Sequence, residues 1–368
     1  MEQTIHCKVD DIKDKYEIIE KVGVGTYGVV YKCKDQEGQI RALKRIKLPK
    51  ANSIRDGFPL NTIREINTLQ SLHHDNIIGL KEIVSTKDDQ IYLTFEYCEF
   101  DLYGLLYDKS SQSSLTPMHI ISYIKQLLLA LKICQDSHIV HRDLKPANIF
   151  VTNENIIKLG DFGLARKILE DRVVHYTSGV ITLYYRAPEL LMGCKHYKYE
   201  VDIWSVGCVF YEMMKKEPLF QCPRNAPSQE IAQLEAIFDI CGTPNLEEWP
   251  EAAEFEKFFN PKKPKPNRLR EYLEEKIGSE YDGAVDFLLT MLQLTPSKRI
   301  SAEEAYKHPF VQKHNLETEP SHLAPLNIPE KHQKLVTDEN RLKNKEIDIK
   351  KSQPVVLKPE RIVPNKVI

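Results

Sequence analysis

Long hydrophobic runs are missing from this chain. The longest nearly apolar stretch, Ile203 to Met214, falls well short of the roughly 20 residues a membrane helix needs. No sign of charge prevails either: 51 Lys and Arg stand against 53 Asp and Glu, a formal net charge of −2. Bulk charge therefore gives no argument for direct nucleic-acid binding. Eight cysteines lie scattered at 7, 33, 98, 134, 194, 208, 222 and 241, and no two have a CxxC or other tight metal spacing. They are expected as free thiols in a reducing compartment. Met1 to Tyr16 mixes charges without an apolar centre, so no secretory signal is expected. No internal repeat with a period of roughly 20–50 residues is visible. What is there, 368 residues with 42% apolar and 28% charged, suits a globular protein of two lobes and a tail.

From Tyr16 to Tyr97 the pattern is mostly strand-like. Tyr16-Glu-Ile-Ile, Val29-Val-Tyr-Lys-Cys33, Arg41 to Ile46 and Ile91 to Tyr97 are short β-branched or aromatic runs separated by turns such as Asp35 to Gly38. One helix interrupts them: Leu60 to Leu72 sets Ile63, Ile66, Leu69 and Leu72 at spacings of three, which predicts a shared apolar face. After Asp101 helices take over. Met118 to Asp136 carries a stripe of Ile120, Ile121, Ile124, Leu127, Leu128 and Leu131, and Val201 to Met214, Gln229 to Cys241 and Ala284 to Leu292 follow. Beyond His314 the composition turns polar and proline-rich, the signature of a flexible tail.

Gly23-Val-Gly-Thr-Tyr-Gly28-Val-Val30 fits GxGxxGxV. Glycines let a backbone approach an anion closely and present N–H groups to it. Alone the run is as readily a plain hairpin turn. Its strand–turn–strand setting disfavours dinucleotide-binding and Walker-type loops, which both lead into a helix. On the next strand Lys44 follows Ala42 in the two-residue alternation, so both should point inward beneath that loop. Glu65 on the helix is placed to pair with such a lysine. His141-Arg-Asp-Leu-Lys-Pro-Ala-Asn148 keeps five functional side chains at fixed spacings, and Asp161-Phe-Gly163 and Ala187-Pro-Glu189 follow in order. Any one triplet could be a loop accident; the four motifs in this order could not.

Together these motifs resemble the eukaryotic protein kinases over residues 16–312. The resemblance implies an α+β, bilobal fold: a small β-rich N-lobe over about 16–97 and a larger α-helical C-lobe over about 98–312. Residues 1–15 would be an N-terminal extension and 313–368 a flexible polar tail. It implies ATP and Mg2+ as cofactors. Gly23, Gly25 and Gly28 would cover the phosphates, with Val24, Thr26, Tyr27 and Val29 in the same loop. Val22 and Val30 would lie against the adenine with Ala42 in the same site, and Glu96 to Cys98 would be the hinge, with Phe95 behind it. Lys44, held by Glu65, would grip the α- and β-phosphates. Asp143 would orient or accept the proton of the substrate hydroxyl, Lys145 would steady the γ-phosphate, and Asn148 and Asp161 would carry the metal. Arg299 is expected to pair with Glu189.

Gly57-Phe-Pro-Leu-Asn-Thr-Ile-Arg-Glu65 is similar to the cyclin-binding helix of cyclin-dependent kinases in its PITALRE and PITSLRE form. Asp56-Gly-Phe-Pro, Phe95 to Leu106, Val180 to Leu183 and Phe259-Asn-Pro-Lys-Lys-Pro lean toward the transcription branch, above all the kinases of the RNA polymerase II C-terminal repeat. This implies a cyclin partner that moves Glu65 toward Lys44, protein substrates with Ser/Thr-Pro sites, no direct nucleic acid and no membrane. The nucleus is the expected location, with the cytoplasm as a second. Thr177 takes the place of the activating threonine, with Arg64, Arg142 and Arg166 as the cluster around its phosphate. Val180, Ile181 and Arg186 take the place of the pocket for the substrate proline, and Thr26 and Tyr27 that of inhibitory phosphorylation sites. Departures are Tyr184 for the family's Trp, Ala147 for the Gln common in cell-cycle members, and Gly179 for a bulkier residue. The alternatives are a cell-cycle cyclin-dependent kinase and a non-catalytic kinase-fold scaffold. A mitogen-activated kinase is disfavoured, because Tyr176-Thr177-Ser178 offers no Thr-x-Tyr pair. Lys262 to Arg270 is either a nuclear-import patch or, more commonly for such runs, a solvated loop.

Overall fold

The computed structural model describes residues 5–24, 28–47, 60–108, 115–168, 183–223, 225–260, 262–313, 316–326, 328–330 and 332. A sheet of β1 (Ile5–Val9), β2 (Glu17–Val24), β3 (Gly28–Lys34), β4 (Ile40–Ile46), β5 (Leu80–Thr86) and β6 (Ile91–Glu96) forms the N-lobe in the order β1-β5-β6-β4-β3-β2. The two-residue alternation of β4 decides what each face does. Leu43 is buried on one face with Ile12, Tyr16, Cys33, Val84 and Tyr92. Ala42 and Lys44 therefore project from the other face, toward the cleft.

Two strands are additional to the expected four. β5 hides in the sequence because Lys81 and Glu82 interrupt its apolar residues. β1 lies in the expected extension, where it pairs in parallel with β5 from Ile5 opposite Glu82 to Val9 opposite Thr86. The buried carboxylate of Glu82 accepts from Lys15 Nζ at 2.6 Å and from the Tyr16 hydroxyl. Residues 5–9 thus complete the sheet, and Ile12 and Lys15 after them pack or bond against it.

Helix α1 (Leu60–Ser71) departs from the expected face in one residue. Thr62, Glu65, Leu69 and Leu72 are buried, whereas Ile63 is 39% exposed. Steps of three fall short of the 3.6-residue turn, so the drift carries Ile63 to the far side from Leu72.

The C-lobe begins with β7 (Phe100–Asp101) and α2 (Leu102–Tyr107), capped by the Asp101 carboxylate on Gly104 N. Helix α3 (Pro117–Asp136) buries all six expected apolar residues. The short strands β8 (Ile139–Val140), β9 (Ile149–Val151), β10 (Ile157–Leu159) and β11 (Arg166–Lys167) frame the central loops. Helices α4 (Pro188–Met192), α5 (Glu200–Lys215), α6 (Gln229–Cys241), α7 (Leu269–Ile277), α8 (Ala284–Met291), α9 (Ala302–Tyr306) and α10 (Pro309–Gln312) complete it. Residues 201–214 of α5 are all buried, as an apolar circumference requires. Arg299 donates to both oxygens of Glu189 at 2.6 and 2.8 Å inside this lobe, so the expected pair forms.

The tail is not loose throughout. Lys125 holds Glu319, the carbonyl of Ala324 accepts from His119 and Asn155, and Leu326 is buried. The polar composition concealed a few apolar anchors, Leu323 and Leu326 among them, that make residues 316–326 part of the folded unit. Residues 333–368 lie outside the described residues.

Candidate active site

The site lies where loops of the C-lobe meet the cleft face of the N-lobe sheet. Its base is Asp202 of α5. The buried carboxylate accepts from the backbone N–H of His141 at 2.7 Å and of Arg142 at 2.8 Å, which fastens the His-Arg-Asp loop to the central helix. Burial pushes the Asp202 carboxyl up, against the pull of His141 and those bonds. His141 Nε2 donates to the carbonyl of Gly160 at 2.9 Å, and its Nδ1 accepts from Asp143 N at 3.3 Å. One imidazole thus joins the loop of Asp143 to the segment of Asp161. Its ring also packs edge-on against buried Phe162, with centroids 4.8 Å apart.

Strained backbone stands at one aspartate and directly beside the other. Asp161 is left-handed, with φ of 56°, and Arg142 beside Asp143 has φ of 69°. Such conformations cost about 1–3 kcal/mol for a non-glycine residue and persist only where neighbours impose them. Arg142 is held by Asp202, by its Nε on the Leu164 carbonyl at 2.7 Å and by its Nη1 on the Tyr197 hydroxyl at 2.8 Å. Gly160 is glycine for space: a Cβ there would stand 2.6 Å from the Phe150 ring.

Asp143 Oδ2 accepts from Lys145 Nζ at 2.6 Å and from Asn148 Nδ2 at 3.0 Å. Asn148 Nδ2 also donates to the Asp143 carbonyl at 2.7 Å. These bonds use the amide nitrogen, so the amide oxygen is the atom of Asn148 able to take a cation. With the Asp161 carboxylate it makes a set of hard oxygen donors, which fits a divalent ion of the alkaline-earth type. Across the cleft, Lys44 Nζ donates to both oxygens of Glu65 at 2.6 and 2.7 Å. Burial pushes the Glu65 carboxyl up, the Lys44 ammonium opposes this, and the Asp161 charge adds to it. That coupling ties helix α1, strand β4 and the Asp161 loop into one electrostatic unit. The pair is closed in the single chain, although the cyclin resemblance led us to expect it open.

The glycine hairpin divides between faces. Val30 pairs with Lys44 and shares its face, as does Ala42. Val29 pairs with Arg45 and its side chain is buried on the opposite face, so only its backbone can meet a nucleotide. Val22, Gly23 and Val24 end β2, and Gly25, Thr26 and Tyr27 lie outside the described residues. Gly28 is required by packing, since a Cβ would stand 2.2 Å from the Arg45 carbonyl oxygen. At the hinge the Glu96 carboxylate is occupied by Gly79 N at 2.8 Å and Lys158 Nζ at 2.7 Å. Only its backbone remains for adenine. Cys98 is buried, which pushes its thiol up and out of the reactive range.

Arg64, Arg142 and Arg166 come together. Burial lowers the pKa of Arg64 and the charge of Arg142 adds to it; burial lowers that of Arg166, with Arg64 and Arg142 adding. Arg166 Nε is buried without a hydrogen-bond partner among the described residues. Thr177, Val180 and Ile181 lie outside the described residues, and Arg186 is buried with its N–H on the Leu183 carbonyl.

Four residues at the rim of the cleft were missed by sequence reasoning. Tyr97 in the hinge donates from its hydroxyl to Glu330 at 2.7 Å, and Lys32 of β3 binds the other oxygen of that carboxylate. His332 packs against the Tyr97 ring and lies 3.7 Å from Asp101. The tail therefore reaches the rim of the cleft and touches both lobes. No short-range pattern announces a partner more than two hundred residues away.

The protein kinase domain family matches residues 16–311. Cyclin-dependent kinase 12 of Drosophila melanogaster is 40% identical over 319 residues, covering 84% of this chain and 26% of that protein. Cyclin-dependent kinase C-1 of Arabidopsis thaliana is 40% identical over 311 residues, covering 79% of this chain and 59% of that protein. The chain thus spans between about a quarter and three fifths of these relatives. A chain of the yeast RNA polymerase II CTD kinase CTDK-1 complex superposes with a TM-score of 0.70 at 35% identity, covering 85% of this chain and 96% of that one.

Proposed function

The chain belongs to the protein kinase family, and on that premise we propose that it is a cyclin-activated, proline-directed serine/threonine kinase acting in the nucleus on the RNA polymerase II C-terminal repeat. The observation that carries the reading is the closed constellation of Lys44 on Glu65 with Asp143 bonded by Lys145 and Asn148. A silent scaffold has no need of five side chains so positioned. The names of the cyclin-dependent relatives and of the CTD kinase complex support the branch.

In this reading the substrate hydroxyl meets the Asp143 carboxylate, which orients it and takes its proton. Lys145, already on that carboxylate, is placed to follow the γ-phosphate as charge spreads over its oxygens. Lys44 orients the α- and β-phosphates and Glu65 fixes Lys44. Asn148 and Asp161 would hold Mg2+, which when bound neutralises phosphate charge. The cleft faces of Val30 and Ala42 would flank the adenine, with the Glu96 to Cys98 backbone at its edge. A cyclin would seat on the outer side of α1, where Ile63 is exposed. Since Lys44 and Glu65 already meet, its role is to hold that arrangement. A phosphate on Thr177 would relieve the repulsion among Arg64, Arg142 and Arg166.

The test is turnover of Ser-Pro and Ser-Ala peptides by the native protein isolated with its cyclin. A large advantage for Ser-Pro in kcat/KM is expected. Equal rates would remove the proline-directed claim, and no turnover would return the scaffold reading.

A further inference from the structure

A proline-directed kinase can act on its own sequence only where Ser or Thr precedes Pro. The chain contains no Ser-Pro pair and three Thr-Pro pairs, Thr116-Pro117, Thr243-Pro244 and Thr295-Pro296. The fold separates them. Thr295 is buried, and Thr243 is half-covered with Pro244 buried behind it. Thr116 is exposed. Its backbone is extended, with φ of −91° and ψ of 165°, and Pro117 opens the 20-residue helix α3 directly after it. Proline fixes its own φ and carries no N–H, so the Thr116-Pro117 step is held in one backbone form at the helix start.

The surroundings also suit the product. A dianion at Thr116 would sit at the positive end of a long helix. His119 Nδ1 is 2.8 Å from the Thr116 hydroxyl, while His119 Nε2 is 2.9 Å from the Ala324 carbonyl. His119 thus stands between the hydroxyl that would carry the phosphate and the tail. Glu317, which lines the same groove with His322, is the one carboxylate among its lining residues and would oppose the new charge.

We propose that Thr116 is a phosphorylation site, modified in trans by a second, active copy of this kinase. The proposal rests on the proline-directed reading above. The Thr116 hydroxyl oxygen forms a bond to the γ-phosphorus of ATP as the bond to the β,γ-bridging oxygen breaks. The hydroxyl proton passes to Asp143 of the acting copy, and ADP leaves.

The experiment offers full-length Asp143→Asn chain, uniformly labelled with 15N, as substrate to unlabelled active complex and ATP. Phosphopeptides of the labelled chain are then mapped. Phosphate is expected at Thr116 and absent from Thr243 and Thr295. Pro117→Ala in the labelled chain keeps the hydroxyl and should lower the initial rate by about tenfold or more, by loss of one specificity contact. Thr116→Val should abolish the label there; circular dichroism and the melting temperature check that loss of the helix cap leaves it folded. If Ser-Pro peptide is turned over but Thr116 stays unmodified, the inference fails and the reading of the enzyme stands. If the Pro117→Ala chain is modified as fast as the parent, the proline-directed basis of the inference fails. If Ser-Pro and Ser-Ala peptides are equal, it is the underlying reading that fails.

Discussion

Tyr97 and Glu330 stand 233 residues apart in the chain and 2.7 Å apart in the fold, the hinge hydroxyl donating to a carboxylate of the tail. Lys32 of the glycine hairpin holds the same carboxylate and places its ammonium 4.7 Å from the centroid of the Tyr97 ring. One acidic side chain thus links N-lobe, hinge and tail. Burial works to raise the Glu330 pKa, but Lys32 and Tyr97 outweigh it, so the pKa lies below the ordinary glutamate value. A carboxylate so depressed stabilises the fold above its unfolded pKa, and that share is lost as pH falls through the folded value.

The first expected outcome follows from that link. Glu330→Gln should destabilise by about 1 kcal/mol, since the ion pair is partly exposed and screened. Urea denaturation at pH 7 and at pH 3.5 checks it. The gap between variant and parent should be present at the higher pH and narrow at the lower. A gap that is unchanged or grows at pH 3.5 would contradict the assignment.

Glu212 behaves in the opposite sense. It is fully buried on α5, accepting from the Tyr107 hydroxyl and bonded by Tyr185. Burial pushes its carboxyl from 4.5 up to about 7 despite those two bonds. The folded chain therefore holds a proton the unfolded chain has lost between those values, and stability falls as pH rises through the window. Up to about 3 kcal/mol is involved by linkage. Glu212→Gln should flatten the loss, and at pH 8 the variant should be at least as stable as the parent. Denaturant midpoints from pH 5 to 8 decide the matter.

Arg299 and Glu189 are enclosed completely, with side-chain exposures of 0% and 1%. Removing one charge leaves the other buried and unpaired, which costs about 3–5 kcal/mol. Arg299→Ala should lose stability by that amount and Arg299→Lys a substantial part of it, because an ammonium cannot reproduce the two parallel bonds. Thermal unfolding of both variants is the measurement. A loss below 1 kcal/mol for Arg299→Ala would mean that water enters the site.

Asp143→Asn keeps the shape of the side chain and removes its basicity. Turnover of a Ser-Pro peptide should fall by about 10²–10⁴-fold with nucleotide affinity retained. Lys44→Met should impair turnover as well, by releasing Glu65 and the phosphates. Peptide kcat and nucleotide affinity by calorimetry separate the two effects. Near-parental turnover by Asp143→Asn would overturn the assignment of the catalytic loop.

Thr177→Ala should lower activity strongly and leave cyclin binding intact, and Arg142→Ala should blunt the response to phosphorylation. The arginine cluster supplies the reason: burial and the neighbouring guanidinium charges lower the pKa of Arg64 and of Arg166, and an anion among the three would relieve that repulsion. Dephosphorylated complex that turns over peptide as fast as the phosphorylated form would exclude this mechanism.

Much of the protein could be read along the chain, because its chemistry is written in short motifs. The spacing of Asp143, Lys145 and Asn148 within one loop, the alternation that turns Ala42 and Lys44 to one face, and the apolar stripe of α3 are local facts. They need only standard backbone geometry to become structure. What tertiary structure decided are the relations that no local period encodes. Which face of α1 and of β3 is enclosed depends on what packs against each, and so, therefore, does the placing of Ile63 outward and of Val29 buried away from the cleft. Residues 5–9 became an added strand because β5 had an edge to fill. Glu212 and Asp202 have shifted acidities because α5 is enclosed on every side, and burial belongs to the fold rather than to either residue. Glu330 reached Tyr97 for the same kind of reason: a few apolar anchors laid a polar tail across the C-lobe, and a hydrogen bond between distant residues forms only after that path exists.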